Sequence, residues 1–350
     1  MKKYFLNTIF RHIIIWTFAL SFWTLLREFG QEVVRDYETL PFSEQLAIHL
    51  VLGLFSGLLF GSLEYLYEKY VFRNMGFGKA VFLGSLGYVL VIVLIIVLAL
   101  IVFSSLSVES YSAEEYWNVI LSKQTILLTC YFFIVGTFTN LFREIDKKFG
   151  RGNLWIMFRG DYYTPKEEEK IFLFLDLKSS TQTAETIGHF KYSKMLQDCF
   201  RDLGVVDTYA AEIYQYVGDE AVLSWDLRKG IENNNCIMAF YAFKSILTVN
   251  QKQYLDAYGI VPEFKAGIHL GKVVTAEIGE LKREIAHHGD TINTAARIQE
   301  KCNILGKELL ISEETKNSLM ASTSLEYHDE GEIRLKGKAK KVRIFSVYNI

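Results

Sequence analysis

Four stretches within the first 141 residues are too apolar, for too long, to lie on the surface of a water-soluble domain. They run roughly Ile9 to Leu26, Leu46 to Leu66, Val81 to Phe103 and Thr125 to Leu141, each near the ~20 residues a helix needs to cross a hydrocarbon layer. Lipid offers no hydrogen-bond partners, so such segments must satisfy their own backbone groups as helices. The expectation is an N-terminal all-α membrane domain of four transmembrane helices over residues 1–145. A connector follows over 146–170, with Gly150, Gly152, Gly160 and Pro165 set among charges, and a globular domain over 171–350. A composition that is 50% hydrophobic fits a chain partly in lipid. No small-residue cleavage site follows the first stretch and three more spans do, so it reads as a retained helix rather than a removed leader.

Charge sets the expected orientation. Lys2, Lys3 and Arg11 flank the first span, Arg73 and Lys79 sit between the second and third, and Lys147, Lys148 and Arg151 follow the fourth. The other two loops carry Glu28, Glu32, Asp36, Glu38, Glu109, Glu114 and Glu115 against few cations. The reading is a multi-pass protein of the cell (inner) membrane with both termini, and hence the globular domain, cytoplasmic. Glu64, beside Tyr65 and Tyr67 near the end of the second span, reads as an interfacial residue. A net charge of -2 gives no general attraction to nucleic acid. Cys130, Cys199, Cys236 and Cys302 are scattered, without the spacing of a disulfide framework or zinc site, which suits a reducing compartment.

The second domain opens with "IFLFLDLKSST", an apolar run of the kind expected of a central strand buried on both faces, with Asp176 near its end. "IYQYVGDEAVLSW" alternates as a hairpin broken at Gly218, with Asp219 and Glu220 at its tip. A long helical stretch covers Glu232 to Tyr258, and "EFKAGIHLGKVVTAEIGE" reads as a strand pair. In "HHGDTINTAARIQ" a helix starts at Gly289–Asp290 and puts Asn293 and Arg297, four apart, on one face. The order β-α-β-β-α-β with additions predicts a ferredoxin-like α+β sandwich, helices on one face of a mostly antiparallel sheet. In that topology Asp176 and Asp219 meet, and converging carboxylates need cations between them. Magnesium held by one or two carboxylates and substrate phosphates meets that need, and Ser179, Ser180 and Thr181 offer N–H and hydroxyl groups to a triphosphate.

F-x-D-x-x-x-S-T, then G-D-E, then G-D-T-x-N-x-A-A-R, then L-K-G-K together resemble the class III nucleotidyl cyclases, the adenylate and guanylate cyclases, over about Lys170 to Ile350. The resemblance implies that Asp176 and Asp219 hold two Mg2+ (or Mn2+) per active site. It makes Asn293 the group that orients the ribose, Arg297 the one that stabilises the phosphoryl transition state, and Lys336 a phosphate binder. It also implies a homodimer with shared sites that converts ATP to 3',5'-cyclic AMP and pyrophosphate. The base-reading positions hold Gln215 and Ala286, which match neither the adenylate nor the guanylate pattern. Gln215 can satisfy the adenine edge bidentately, so ATP is the expected substrate and GTP a weaker one. A guanylate or other nucleotidyl cyclase and a non-catalytic nucleotide-binding signalling domain are the alternatives; a membrane receptor or transporter with an appended regulatory domain is weakened by four short-looped helices without a broken helix. His287 and His288 raise a metal-hydrolase reading that finds no partner motif, and Glu220 reads as structural support or solvated.

Overall fold

The computed structural model describes residues 2–30, 41–71, 75–106, 112–150, 152–334 and 341–350. The chain divides into two compact units, Met1–Lys148 and Phe149–Ile350.

The first unit contains α1 (Lys2–Gly30), α2 (Phe42–Tyr70), α3 (Phe77–Leu106), a short α4 (Ala113–Ile120) and α5 (Lys123–Phe149). Four of these helices are long and apolar enough to cross a membrane, over Phe5–Leu26, Leu46–Glu68, Phe77–Val97 and Thr125–Phe149. Each contributes one aromatic ring to a common core. Trp16 of α1 lies 4.5 Å from Phe60 of α2 and stacks at 5.1 Å on Phe132 of α5, while Tyr88 of α3 meets Phe60 edge-on at 4.9 Å. α1 and α2 pack backbone to backbone through Gly53, Gly57 and Gly61. A Cβ at Gly57 would stand 2.3 Å from Ile13 Cα, so only glycine permits this approach. Glu64 is not interfacial, as its neighbouring tyrosines suggest: it is fully buried between α1, α2 and α5, because Arg11, His12 and Arg143 supply its partners.

The second unit begins with α6 (Asn153–Arg159), and its first strand, β1 (Lys166–Leu177), starts inside the segment read as connector because Lys166 to Lys170 pair with Thr275 to Gly271. The elements that follow are α7 (Ser180–Ile187), α8 (His189–Asp202), β2 (Glu212–Val217), β3 (Glu220–Asp226), α9 (Leu227–Ile231), α10 (Asn235–Val249), α11 (Gln251–Tyr258), β4 (Phe264–Ile278) and β5 (Glu284–His288). The chain closes with α12 (Asp290–Leu305), β6 (Leu309–Ser312), α13 (Glu313–Ser318), β7 (Leu325–Ile333) and β8 (Val342–Asn349).

The strands form one sheet in the order β2-β3-β1-β4-β6-β8-β7, with β5 added beside β4. Every pairing is antiparallel except β4 with β6. Both edge strands are bulged: the β2 register shifts between Ile213 and Gln215, and that of β7 between Asp329 and Gly331. Alternate β1 residues serve two cores. Ile171, Leu173 and Leu175 pack with Met195, Phe240 and Phe243 from α8 and α10, whereas Phe172 and Phe174 pack with Ala295 of α12. Helices therefore cover both faces rather than one. α12 reaches its face because β4 has no side chain at Gly267, where a Cβ would stand 2.2 Å from the Gln299 nitrogen.

Candidate active site

Asp176, the penultimate residue of β1, lies directly opposite Glu220, the first residue of β3, and Asp219 occupies the turn just before it. Gly218 makes that turn with φ +63°, a conformation that a side chain disfavours. The meeting of Asp176 and Asp219 is thus built by strand register. The Asp176 carboxylate is half-buried; its Oδ2 accepts from Gln299 Nε2 of α12 at 2.9 Å and lies 3.0 Å from Lys265 Nζ of β4. Lys265 in turn donates to Asn303 at 2.8 Å.

The local charge is short of cations. Burial, then the neighbouring charges of Asp176, Asp219 and Glu300, push the Glu220 carboxyl up to about 7, with Lys265 opposing them. Glu220 is therefore part of the acidic cluster, not a solvated tip residue. Tyr192 of α8 faces the same cluster: burial and Asp219 raise its phenol, and a hydrogen bond with Ser180 opposes this. Ser180 therefore sits with the aspartates at the start of α7. The preceding Ser179 is exposed and left-handed, with φ 53°. The first N–H groups of α7, beginning at Ser180 and Thr181, point out of the helix end, as at any α-helix N-terminus.

Asn293 and Arg297 lie on α12 but not toward Asp176. Gln299 follows Arg297 by two residues, about 200° around the helix, so the face that touches Asp176 is opposite the one that carries Arg297. Asn293 is exposed, and Arg297 pairs with Glu300. Lys336 lies outside the described residues. Among the described residues no three His, Cys, Asp or Glu side chains form a ready metal cage. Two carboxylates with phosphate oxygens are nevertheless an ordinary donor set for magnesium, and the uncompensated charge around Glu220 fits a cation at this point.

The bulge in β2 sets Tyr214 and Gln215 against one partner, Val222. Gln215 is exposed and Ala286 buried. Their neighbours are in contact: the Tyr214 and His287 rings are 4.9 Å apart, and the His287 amide donates to Tyr214 Oη at 3.3 Å. His287 Nδ1 lies 2.8 Å from Thr275 Oγ1, which donates to Glu168 at 2.9 Å. Burial, then Lys170, push the His287 ring down to about 4. His287 is thus a neutral histidine within a satisfied network that also holds Tyr162 on Glu168 at 2.8 Å. Sequence reading missed Lys265, Gln299 and Tyr192. Only Lys265 left a signal, as a charge inside the apolar alternation of "EFKAGIHLG".

The model of the adenylate and guanylate cyclase catalytic domain matches residues 162–349. The chain is 33% identical over 205 residues to adenylate cyclase 2 of Rhizobium meliloti, covering 58% of this chain and 56% of that protein. It is 26% identical over 186 residues to an adenylate cyclase of Anabaena cylindrica, covering 50% of this chain and 36% of that one. The chain thus spans little more than half the length of the first relative and less of the second. Among solved structures, a bacterial light-regulated adenylyl cyclase superposes with a TM-score of 0.53 at 17% identity, over 65% of this chain and 67% of that one, a likeness of fold.

Proposed function

The chain belongs to the family of adenylate and guanylate cyclase catalytic domains, and from that premise we propose that it is a membrane-anchored homodimeric adenylate cyclase, converting ATP to 3',5'-cyclic AMP and pyrophosphate. The observation that carries the reading is the meeting of Asp176, Asp219 and Glu220 beside the start of α7, with Lys265 opposing them.

Asp176 and Asp219 would hold two Mg2+ (or Mn2+), which supply charge neutralisation at the triphosphate and acidify the ribose hydroxyl. In the reaction the ribose 3'-oxygen bonds to the α-phosphorus, the bond from that phosphorus to the pyrophosphate oxygen breaks, and the 3'-hydroxyl proton leaves to solvent. The α7 amides with Ser179, Ser180 and Thr181 cradle phosphate oxygens. Asn293 orients the ribose, and Arg297 stabilises charge on the transferring phosphoryl group. Lys336 binds phosphate. Since α12 turns Arg297 away from the Asp176 of its own chain, the reading assigns Asn293 and Arg297 to the site of a second copy. Gln215 reads the adenine edge, and Ala286 adds no polar selection.

The basic bias of the loops supports a bundle in the membrane with both ends cytoplasmic. Cysteines placed at Glu114, or at Glu38 outside the described residues, then react with an impermeant reagent from outside, and those at Gly78 or Gly152 do not. The deciding assay offers the purified protein each of four nucleoside triphosphates with magnesium or manganese and separates the products. ATP is expected to give the cyclic product fastest. A preference for GTP, CTP or UTP overturns the adenylate assignment, and no product from any of them overturns the cyclase reading.

A further inference from the structure

Three long helices meet at one buried carboxylate. Glu64 of α2 accepts from Arg11 of α1 through one oxygen. Its other oxygen lies 2.7 Å from His12 Nε2 and 3.7 Å from Arg143 Nη1 of α5. One turn on, Glu68 meets Lys147 of α5 at 2.8 Å, and Glu144 takes Lys147 at 3.0 Å and Arg143 at 3.1 Å. Glu64, His12 and Arg143 are 2%, 0% and 5% exposed.

The histidine has a fixed tautomer. Trp16 Nε1–H can only donate, and it reaches His12 Nδ1 at 3.2 Å, so Nδ1 accepts and Nε2–H donates to Glu64. With His12 neutral, Arg11, Arg143 and Lys147 balance Glu64, Glu68 and Glu144. The cluster is closed on itself and is not a ligand pocket. The void beside it measures only about 10 Å³, space for roughly one water.

Its place in the bundle gives it a consequence. The residues lie in the first half of α1 and the last turns of α2 and α5, the end from which the chain leaves α5 for β1 of the catalytic unit. Nearer its start α5 is held by apolar and aromatic contacts, Phe132 on Trp16 and Tyr131 on the Ala19 carbonyl. At its exit it is held by charges. Packed apolar surfaces tolerate a small slide, but buried ion pairs lose their geometry together when one helix turns or shifts by a residue, leaving charges uncompensated. We propose that the Glu64 cluster is a latch that fixes the rotation and depth of α5 and thereby sets the turnover of the catalytic unit. The activity readout rests on the cyclase reading; the position of α5 does not.

The test is a charge exchange in the full chain, in membrane vesicles, at the outer pair of the latch. Glu68→Lys and Lys147→Glu each place like charges opposite each other and are expected to change turnover per folded molecule by about three- to tenfold. The double exchange restores the attraction between positions 68 and 147 but sets a carboxylate beside Glu144 and a cation beside Arg143, so turnover is expected to move back toward the parent without reaching it. Spin labels on exposed Leu66 and Phe142, in a Cys130→Ser background, report α2–α5 geometry without any activity. Their distance distribution should broaden or shift in each single variant and move part of the way back in the double. Should the parent turn over no nucleotide, the cyclase reading fails while the distances still judge the latch. The latch is overturned if the distances are the same in all four proteins, or if the singles move α5 and leave turnover unchanged in an active parent. Singles that fail to fold are replaced by Glu68→Gln and Lys147→Gln, read against the same two measurements.

Discussion

Each unit withdraws carboxylates from water, fully in the bundle and partly in the catalytic unit, and the two treat them in opposite ways. In the bundle, Glu64 is surrounded by Arg11, His12 and Arg143. At the end of β1, Asp176, Asp219 and Glu220 are gathered against Lys265, and Glu220 is pushed up to about 7. A buried charge that is fully partnered is costly to disturb and has no spare valence. One left short of partners at a sheet end stores electrostatic free energy that a bound cation or substrate can release. Burial alone does not separate an architectural carboxylate from a functional one; the local charge balance does.

The strongest break in that comparison comes from Asp219→Asn, which should cut turnover by about a thousandfold, ~4 kcal/mol of transition-state stabilisation, while leaving thermal stability equal or higher because repulsion is relieved. Asp176→Ala mixed with Arg297→Ala should regain part of the activity in heterodimers; equal inactivity with heterodimers shown to form contradicts a shared site. Glu64→Ala should behave oppositely and cost about 3 kcal/mol of bundle stability by orphaning buried cations, read as loss of folded protein in detergent melts. An unchanged melt would mean that the bundle tolerates open charge as the active site does.

The apolar part of the bundle can be tested at Gly57. Gly57→Val should cost about 2 kcal/mol by overpacking against Ile13, whereas Gly78→Val, at a position with open space around it, should cost little. The catalytic unit also contains a closed network, around His287, and there pH is the probe. Its ring is pushed from 6.5 to about 4, so between those values the unfolded chain takes up a proton that the folded one refuses. The stability from His287 is fully present above pH 6.5 and lost as pH falls to about 4. His287→Phe should flatten this decline by about 3 kcal/mol, measured as the calorimetric transition of the catalytic unit in the solubilised chain; an unaltered slope refutes it. The smallest effect belongs to Gln215→Ala, expected to reduce the preference for ATP over GTP by about tenfold, ~1.4 kcal/mol, without weakening metal dependence.

The features that sequence revealed are local or register-borne. Asp176 and Asp219 were legible because a buried strand and a hairpin each announce their ends, and pairing β1 with β3 then brings them together. The faces of α12 were legible from Asn293 and Arg297, and its seat against the second face of the sheet was not, since it depends on the missing side chain at Gly267. The partners of Glu64 come from residues 11, 12 and 143, on helices whose neighbourhood no spacing encodes. Gly53, Gly57 and Gly61 did stand in plain view at four-residue intervals, the signature of close helix contact.

The irregular pairing of β2 and β7 matters for solubility. These are the two outermost strands of the main sheet, and each is bulged within its run. A regular outer strand displays a row of free amides and carbonyls that invites another chain to extend the sheet without limit. An extra residue twists that row and spoils its repeat. The unit is thus guarded against fibrous growth at both margins, because neither outer strand offers a second chain a regular row to extend.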